Sequence, residues 1–194
     1  MDLLIASSNK HKVKEFRVLF SKYPNINLIS LSDLNDKDEV VEDGNTFSDN
    51  ALIKAKYFYD KYHIITISDD SGLVVPSLNG EPGVFSSRYS GLGDEENNKL
   101  LLKNLENKTD RSAYYEVSIC FYDGNKPEFF IGKCFGKIGF EEKGENGFGY
   151  DPLFIYGEKT FSEIPLSEKN KFSHRAIALK QFIAFFEKNY LQNQ

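Results

Sequence analysis

The sequence predicts an α/β protein, and three observations lead there. An apolar run, Leu3 to Ala6, is followed by a polar loop and then by Val13, Phe16 and Phe20 at i, i+3 and i+7, the spacing of an amphipathic helix. Thr46-Phe47-Ser48-Asp49 has the Thr-x-x-Asp form of a capping box and opens a second helix. Tyr115, Val117, Ile119 and Phe121 alternate with less apolar neighbours, as a half-buried strand does. Strands and helices interleave.

The first strand feeds Ser7-Ser8-Asn9-Lys10-His11-Lys12 and then the first helix. A helix N-terminus has unpaired N–H groups and a positive dipole end, so this loop reads either as an anion site or as a plain helix cap with solvated lysines. The chain contains no Gly-x-x-x-x-Gly-Lys-Ser/Thr, so it is not a Walker-type phosphate loop. Ile26 to Leu31 reads as a second strand, and Asp33 to Gly44 as an acidic, irregular stretch. In the second helix Phe47, Ala51, Ala55, Phe58 and Tyr62 line one face. Glu42, just before it, is a metal ligand or a surface charge.

Ile64, Ile65 and Ile67 then lead as a buried strand into Ser68-Asp69-Asp70-Ser71-Gly72. Paired carboxylates at a strand mouth suit a hard cation such as Mg²⁺, and the same residues suit a solvated turn. Leu73 to Leu78 is expected to continue as a strand, with Pro76 marking an edge or bulge and Asn79-Gly80 a turn. Asp94 is expected to cap a short helix carrying Leu101, Leu102 and Leu105. Asp123-Gly124 turns the chain into a strand over Glu128 to Ile138. The glycine-rich stretch Gly144 to Pro152 suits either a loop that approaches a ligand closely, its aromatic faces stacking on a base, or a packed structural turn. The last helix starts near Ser173-His174-Arg175 and is expected to bury Leu179, Phe182, Ile183 and Phe186. His174 and Arg175 lie in its first turn, where the dipole disfavours a cation, which points to an anion or acceptor coming to meet them. His11 and His63 read as loop and strand-end residues.

The 194 residues suffice for a substantial core and are read as one domain, 1–194. No apolar run approaches the ~20 residues needed to span a bilayer, and the N-terminus lacks a signal-peptide pattern. Cys120 and Cys134 fall inside strands without metal-ligand or disulfide spacing, as buried reduced thiols. A cytoplasmic protein without a membrane partner is expected. The net charge of −5 argues against a broad nucleic-acid surface, yet cations gather at Lys10, Lys12, Lys14 and Arg17 and again at Lys169, Lys171 and Arg175. Local phosphate binding remains open to it.

Five ordered blocks together resemble the inosine triphosphate pyrophosphatase family, over nearly the whole chain. They are Ser8-Asn9 with Lys12; Glu42-x-Gly44-x-Thr46-Phe47-x-x-Asn50-Ala51-x-x-Lys54-Ala55; Asp69-Asp70-Ser71-Gly72-Leu73; Gly147-Phe148-Gly149-Tyr150-Asp151-Pro152; and Ser173-His174-Arg175. Gly80-x-Pro82-Gly83-x-x-Ser86-x-Arg88-Tyr89 is similar to the bacterial branch. The resemblance implies a long central mixed sheet flanked by helices, with two lobes and the nucleotide in the cleft between them. It further implies Mg²⁺-dependent hydrolysis of the α–β phosphoanhydride of ITP, dITP and XTP, in a homodimer. Carried over by position, Ser7, Ser8, Asn9, Lys10, His11 and Lys12 would hold phosphates. Asp70 would be the catalytic acidic residue and a metal ligand, Glu42 the other ligand, Asp69 a support, and Ser71 a substrate contact. Phe148, Gly149, Tyr150, Asp151, Lys169, His174 and Arg175 would hold the base and ribose. The sequence departs from the family's usual pattern at Ser8, Ser68 and Pro76.

Overall fold

A computed structural model describes residues 1–191. Along them run β1 (Asp2–Ile5), α1 (Lys10–Phe20), β2 (Asn27–Ser30), α2 (Phe47–Tyr62), β3 (Thr66–Val74), α3 (Asp94–Asn104), β4 (Ser112–Tyr122) and β5 (Glu128–Ile138). After these come β6 (Phe154–Tyr156), β7 (Lys159–Thr160), a single turn α4 (Leu166–Lys169) and α5 (His174–Phe186). The strands form one sheet in the order β2-β1-β3-β4-β5-β6-β7. β1 pairs with β2 and β3 in parallel, whereas β6 pairs antiparallel with β5 and β7, so the sheet is mixed. The α/β expectation holds. No helix among the described residues is long and apolar enough to cross a membrane.

The chain folds as two compact units. The first comprises Met1–Asp70 and Ser118–Phe130. In it Leu4, Ala6, Leu31 and Phe58 form one cluster, and Ala51, Ala55, Cys120 and Tyr122 another. α2 thus serves two clusters from neighbouring faces, and its alanines keep the approach close. Its start is fixed as the sequence predicts: Thr46 Oγ1 accepts from the Asp49 N–H, and the Asp49 carboxylate accepts from the Thr46 N–H. Its end is His63, in the left-handed region at φ 53°, so this histidine is a helix cap and not a strand end.

The second unit comprises Ser71–Val117 and the chain from Ile131 onward. Its core gathers Leu73, Leu101, Leu105, Tyr115, Cys134, Tyr150, Leu153, Phe154 and Phe161. Both cysteines are free and buried.

Four local expectations are corrected. The acidic stretch is neither a turn nor a strand mouth, because β3 runs straight through Asp69–Gly72. The strand then stops at Val74, and Pro76 opens a short 3-10 turn, where its missing N–H is not needed. Gly93 holds the cap position of α3, leaving the Asp94 carboxylate for another partner. α5 buries Ala178, Phe182 and Phe186, with Leu179 and Ile183 only half-buried. Gly132 lets the backbone of α5 come close there, because a side chain on it would strike the backbone of His174 and Ala178.

Candidate active site

In the first unit the chemistry is built by α2 lying beside the middle of β3. Asn50, almost fully buried, donates from Nδ2 to Asp70 Oδ2 at 3.0 Å and accepts the Gly44 N–H on Oδ1 at 2.8 Å. One amide therefore fixes both Asp70 and the loop that carries Glu42. One turn on, Lys54 Nζ reaches Glu42 Oε1 at 2.5 Å and the Asp69 carbonyl at 2.7 Å. Gly44 is glycine for space, because a Cβ there would lie 2.5 Å from Asp49 Cβ and 2.7 Å from Asn50 Oδ1. Neither Asn50 nor Lys54 was assigned a role from sequence. The signal was Thr46, Asn50 and Lys54 at i, i+4 and i+8, a polar ridge beside the apolar stripe.

Asp69 and Asp70 alternate across the strand and meet different surroundings. Asp69 is buried, and its carboxylate pairs with Lys12 Nζ at 3.1 Å. Asp70 is partly exposed, and burial pushes its carboxyl above the usual range, with the charge of Glu42 adding to the rise. The Asn50 amide and the charges of Lys54 and Lys12 oppose it. Two carboxylates in one unit, Glu42 on its loop and Asp70 on β3, with only oxygen to offer, are a donor set that fits a hard divalent cation.

The loop before α1 is a well-made cap. Asn9 Oδ1 accepts the N–H groups of His11 and Lys12, and Ser7 Oγ accepts that of Asn9. Ser8, Lys10 and His11 stand exposed around it.

In the second unit Asp151 is the centre. It is buried, takes Tyr115 OH at 2.9 Å on Oδ1, and takes Lys169 Nζ at 3.1 Å on Oδ2. Lys169 is equally buried and lies over the Phe161 ring. The Tyr115 ring stacks on His174 at 5.0 Å, and its hydroxyl is held protonated by burial first and by the Asp151 charge beside it. Gly147 has a left-handed φ of +81°, and a side chain there would strike Asp151 Oδ2. Phe148 stands 69% exposed at the loop's tip, while Tyr150 is buried and donates to the Ser86 carbonyl. His174 and Arg175 occupy the first turn of α5, capped by Ser173, and Ser71 is partly exposed on β3. Phe148 and Lys169 thus meet on Asp151, and Tyr115 links Asp151 to His174.

The sequence matches the profile described as the Ham1 family over residues 3–185. A dITP/XTP pyrophosphatase of Thermoanaerobacter pseudethanolicus is 43% identical over 98% of this chain and 96% of its own length. One of Listeria innocua is also 43% identical, over 92% of this chain and 91% of its own. Among solved structures, the Staphylococcus aureus Ham1 protein matches with TM-score 0.91 at 37% identity, covering 97% of this chain and 99% of its own. A HAM1 protein from Coxiella burnetii matches with TM-score 0.92 at 35% identity and the same coverage.

Proposed function

We propose that this chain, which belongs to the Ham1 family, hydrolyses ITP, dITP and XTP to the monophosphate and pyrophosphate, keeping deaminated purines out of DNA and RNA. The carrying observation is Asp70, a carboxyl raised by burial and fixed by Asn50 in the same unit as Glu42, Lys54 and Lys12. A carboxylate held in place by the Asn50 amide can take the proton of an attacking water. The relatives of Thermoanaerobacter pseudethanolicus and Listeria innocua are dITP/XTP pyrophosphatases, which supports the substrate class.

The attacking water gives its proton to Asp70 as its oxygen bonds to the α-phosphorus. The bond from that phosphorus to the α–β bridging oxygen breaks, and pyrophosphate leaves. Glu42 and Asp70 would hold Mg²⁺, which when bound neutralises phosphate charge. Asp69 holds Lys12 in place. Residues Ser7 to Lys12 take phosphate oxygens, chiefly through Lys10, Lys12 and the dipole end of α1. In the second unit Phe148 stacks on the base, Ser71 touches substrate, and the group Gly149, Tyr150, Asp151, Lys169 and His174 shapes the base and ribose site. Arg175 offers only donors, which suit O6 of a 6-oxo purine and leave the amino group of adenine unanswered. The residues 1–194 act as one functional domain, in a homodimer, in the cytoplasm. The two free buried thiols support that compartment.

Product analysis with ITP and ATP side by side, in Mg²⁺ and again in EDTA, tests the proposal. The expected result is metal-dependent IMP and pyrophosphate from ITP, with ATP nearly untouched. IDP and phosphate would mean that a different bond is cleaved, and no turnover of ITP would overturn the reading. Arg175→Ala is expected to lower the ITP-to-ATP ratio of kcat/KM by about tenfold or more, the scale set by one charged hydrogen bond. An unchanged ratio would move base selection to another residue.

A further inference from the structure

The Asp94 carboxylate, which does not cap its own helix, points to a device that holds the aromatic loop. Its Oδ2 accepts the Gly149 N–H at 3.0 Å. One helical turn later Asn98 Nδ2 donates to the Gly149 carbonyl at 3.1 Å and to Glu142 Oε1 at 2.7 Å. Both backbone polar groups of Gly149 are thus taken by side chains at i and i+4 of α3, the spacing that places two side chains on one helical face. Gly149 itself sits in the left-handed region at φ +60°, with nothing within 4 Å of where a Cβ would stand. The glycine is conformationally free there, so the two side chains, not its surroundings, fix it.

We propose that Asp94 and Asn98 are positioning residues that lock Gly149, and through it set the pose of Phe148 on one side and of Asp151 on the other. The inference rests on the reading of Phe148 to Asp151 as the base site. Within the turn, Asp151 accepts the Phe148 N–H on Oδ2, and its own N–H donates to the Phe148 carbonyl. Those bonds close the turn upon itself, and Lys169 and Tyr115 hold Asp151 while Tyr150 reaches Ser86, but the N–H and C=O of Gly149 are taken by α3. Asn98 is buried and Asp94 exposed, so the pair joins a fixed post to one that is removable without opening the core. Neighbouring Asn97 plays the same part toward another segment, accepting from Ser90 and donating to the carbonyls of Ser86 and Ser87. The first turns of α3 therefore brace two loops.

The test uses Asp94→Ala, Asp94→Asn and Asn98→Ala in the full chain. Asp94→Ala removes the acceptor for the Gly149 N–H, whereas Asp94→Asn keeps an acceptor oxygen of the same reach. Asp94→Ala is expected to raise KM for ITP about three- to tenfold with kcat nearly unchanged, the scale of one lost hydrogen bond. IMP binding measured by calorimetry in EDTA should weaken by the same factor, and Asp94→Asn should restore both. Asn98→Ala should act in the same direction where it folds. Unchanged KM and unchanged IMP binding in Asp94→Ala would overturn the proposal. So would a fall in kcat alone, or a failure of Asp94→Asn to restore binding. A wild-type protein that neither turns over ITP nor binds IMP would instead overturn the base-site reading beneath it, so the two failures are distinguishable.

Discussion

Asp70→Asn is expected to lower ITP turnover by about three orders of magnitude, combining loss of a base with loss of a metal ligand. The protein should stay folded, and in EDTA at neutral pH it should melt higher than the wild type. The second result follows from the direction of the shift. Burial raises the Asp70 carboxyl above its ordinary value of 3.8, with Glu42 adding to the rise. A carboxyl that holds its proton more tightly folded than unfolded contributes a penalty that is absent below the unfolded value. The penalty grows as pH rises toward the folded one and is complete at neutral pH. Asparagine carries no charge and escapes it. A cation bound only by the folded state stabilises by mass action, so Mg²⁺ should raise the melting temperature of the wild type and leave that of the variant nearly still. Near-normal turnover in Asp70→Asn would remove this residue from the chemistry. A lower melting point in EDTA would mean that Asp70 is a structural carboxylate.

Such a site was legible in part. The capping box at Thr46 and the periodicity of α1 and α2 are local patterns, and the structure reproduces them because local and tertiary preferences agree. The Asp69–Asp70 pair misled in conformation, since Asp-Asp-Ser-Gly is good turn chemistry when nothing else is known. What keeps it extended comes from far along the chain: Lys12 on the Asp69 carboxylate and Lys54 on its carbonyl. Lys54 and Asn50 went unassigned for a related reason. A lysine and an asparagine on an amphipathic helix look like its solvated side until β3 is laid against them. Asp94 was read as a cap because Asp before a helix usually is one, and only the fold brings Gly149 to it. In each case the missing information was the partner, and the residue itself was in plain view.

Lys169→Met should have the largest effect on stability, at a cost of about 3–5 kcal/mol in urea unfolding, the range for removing one member of a buried ion pair. Lys169 and Asp151 are both buried, 3.1 Å apart, and the lysine is the one full positive charge among the contacts described for the Asp151 carboxylate. Without it the carboxylate keeps the Tyr115 hydroxyl and the Phe148 N–H, which are neutral donors and do not match the charge. Asp151→Asn should cost a similar amount from the other side, leaving an ammonium over the Phe161 ring with no counter-charge. The double variant Lys169→Met/Asp151→Asn removes both charges, so it should be more stable than either single one, although it does not regain the lost bonds. Because Asp151 Oδ2 also accepts from Phe148, the single variants should raise KM for ITP along with the loss of stability. A double variant no more stable than the weaker single would show the charges acting independently, and a cost below about 1 kcal/mol in either single would place the pair with exposed ones in energy. Buried pairing is what makes one lysine both a strut of the second unit and a guide for its aromatic loop.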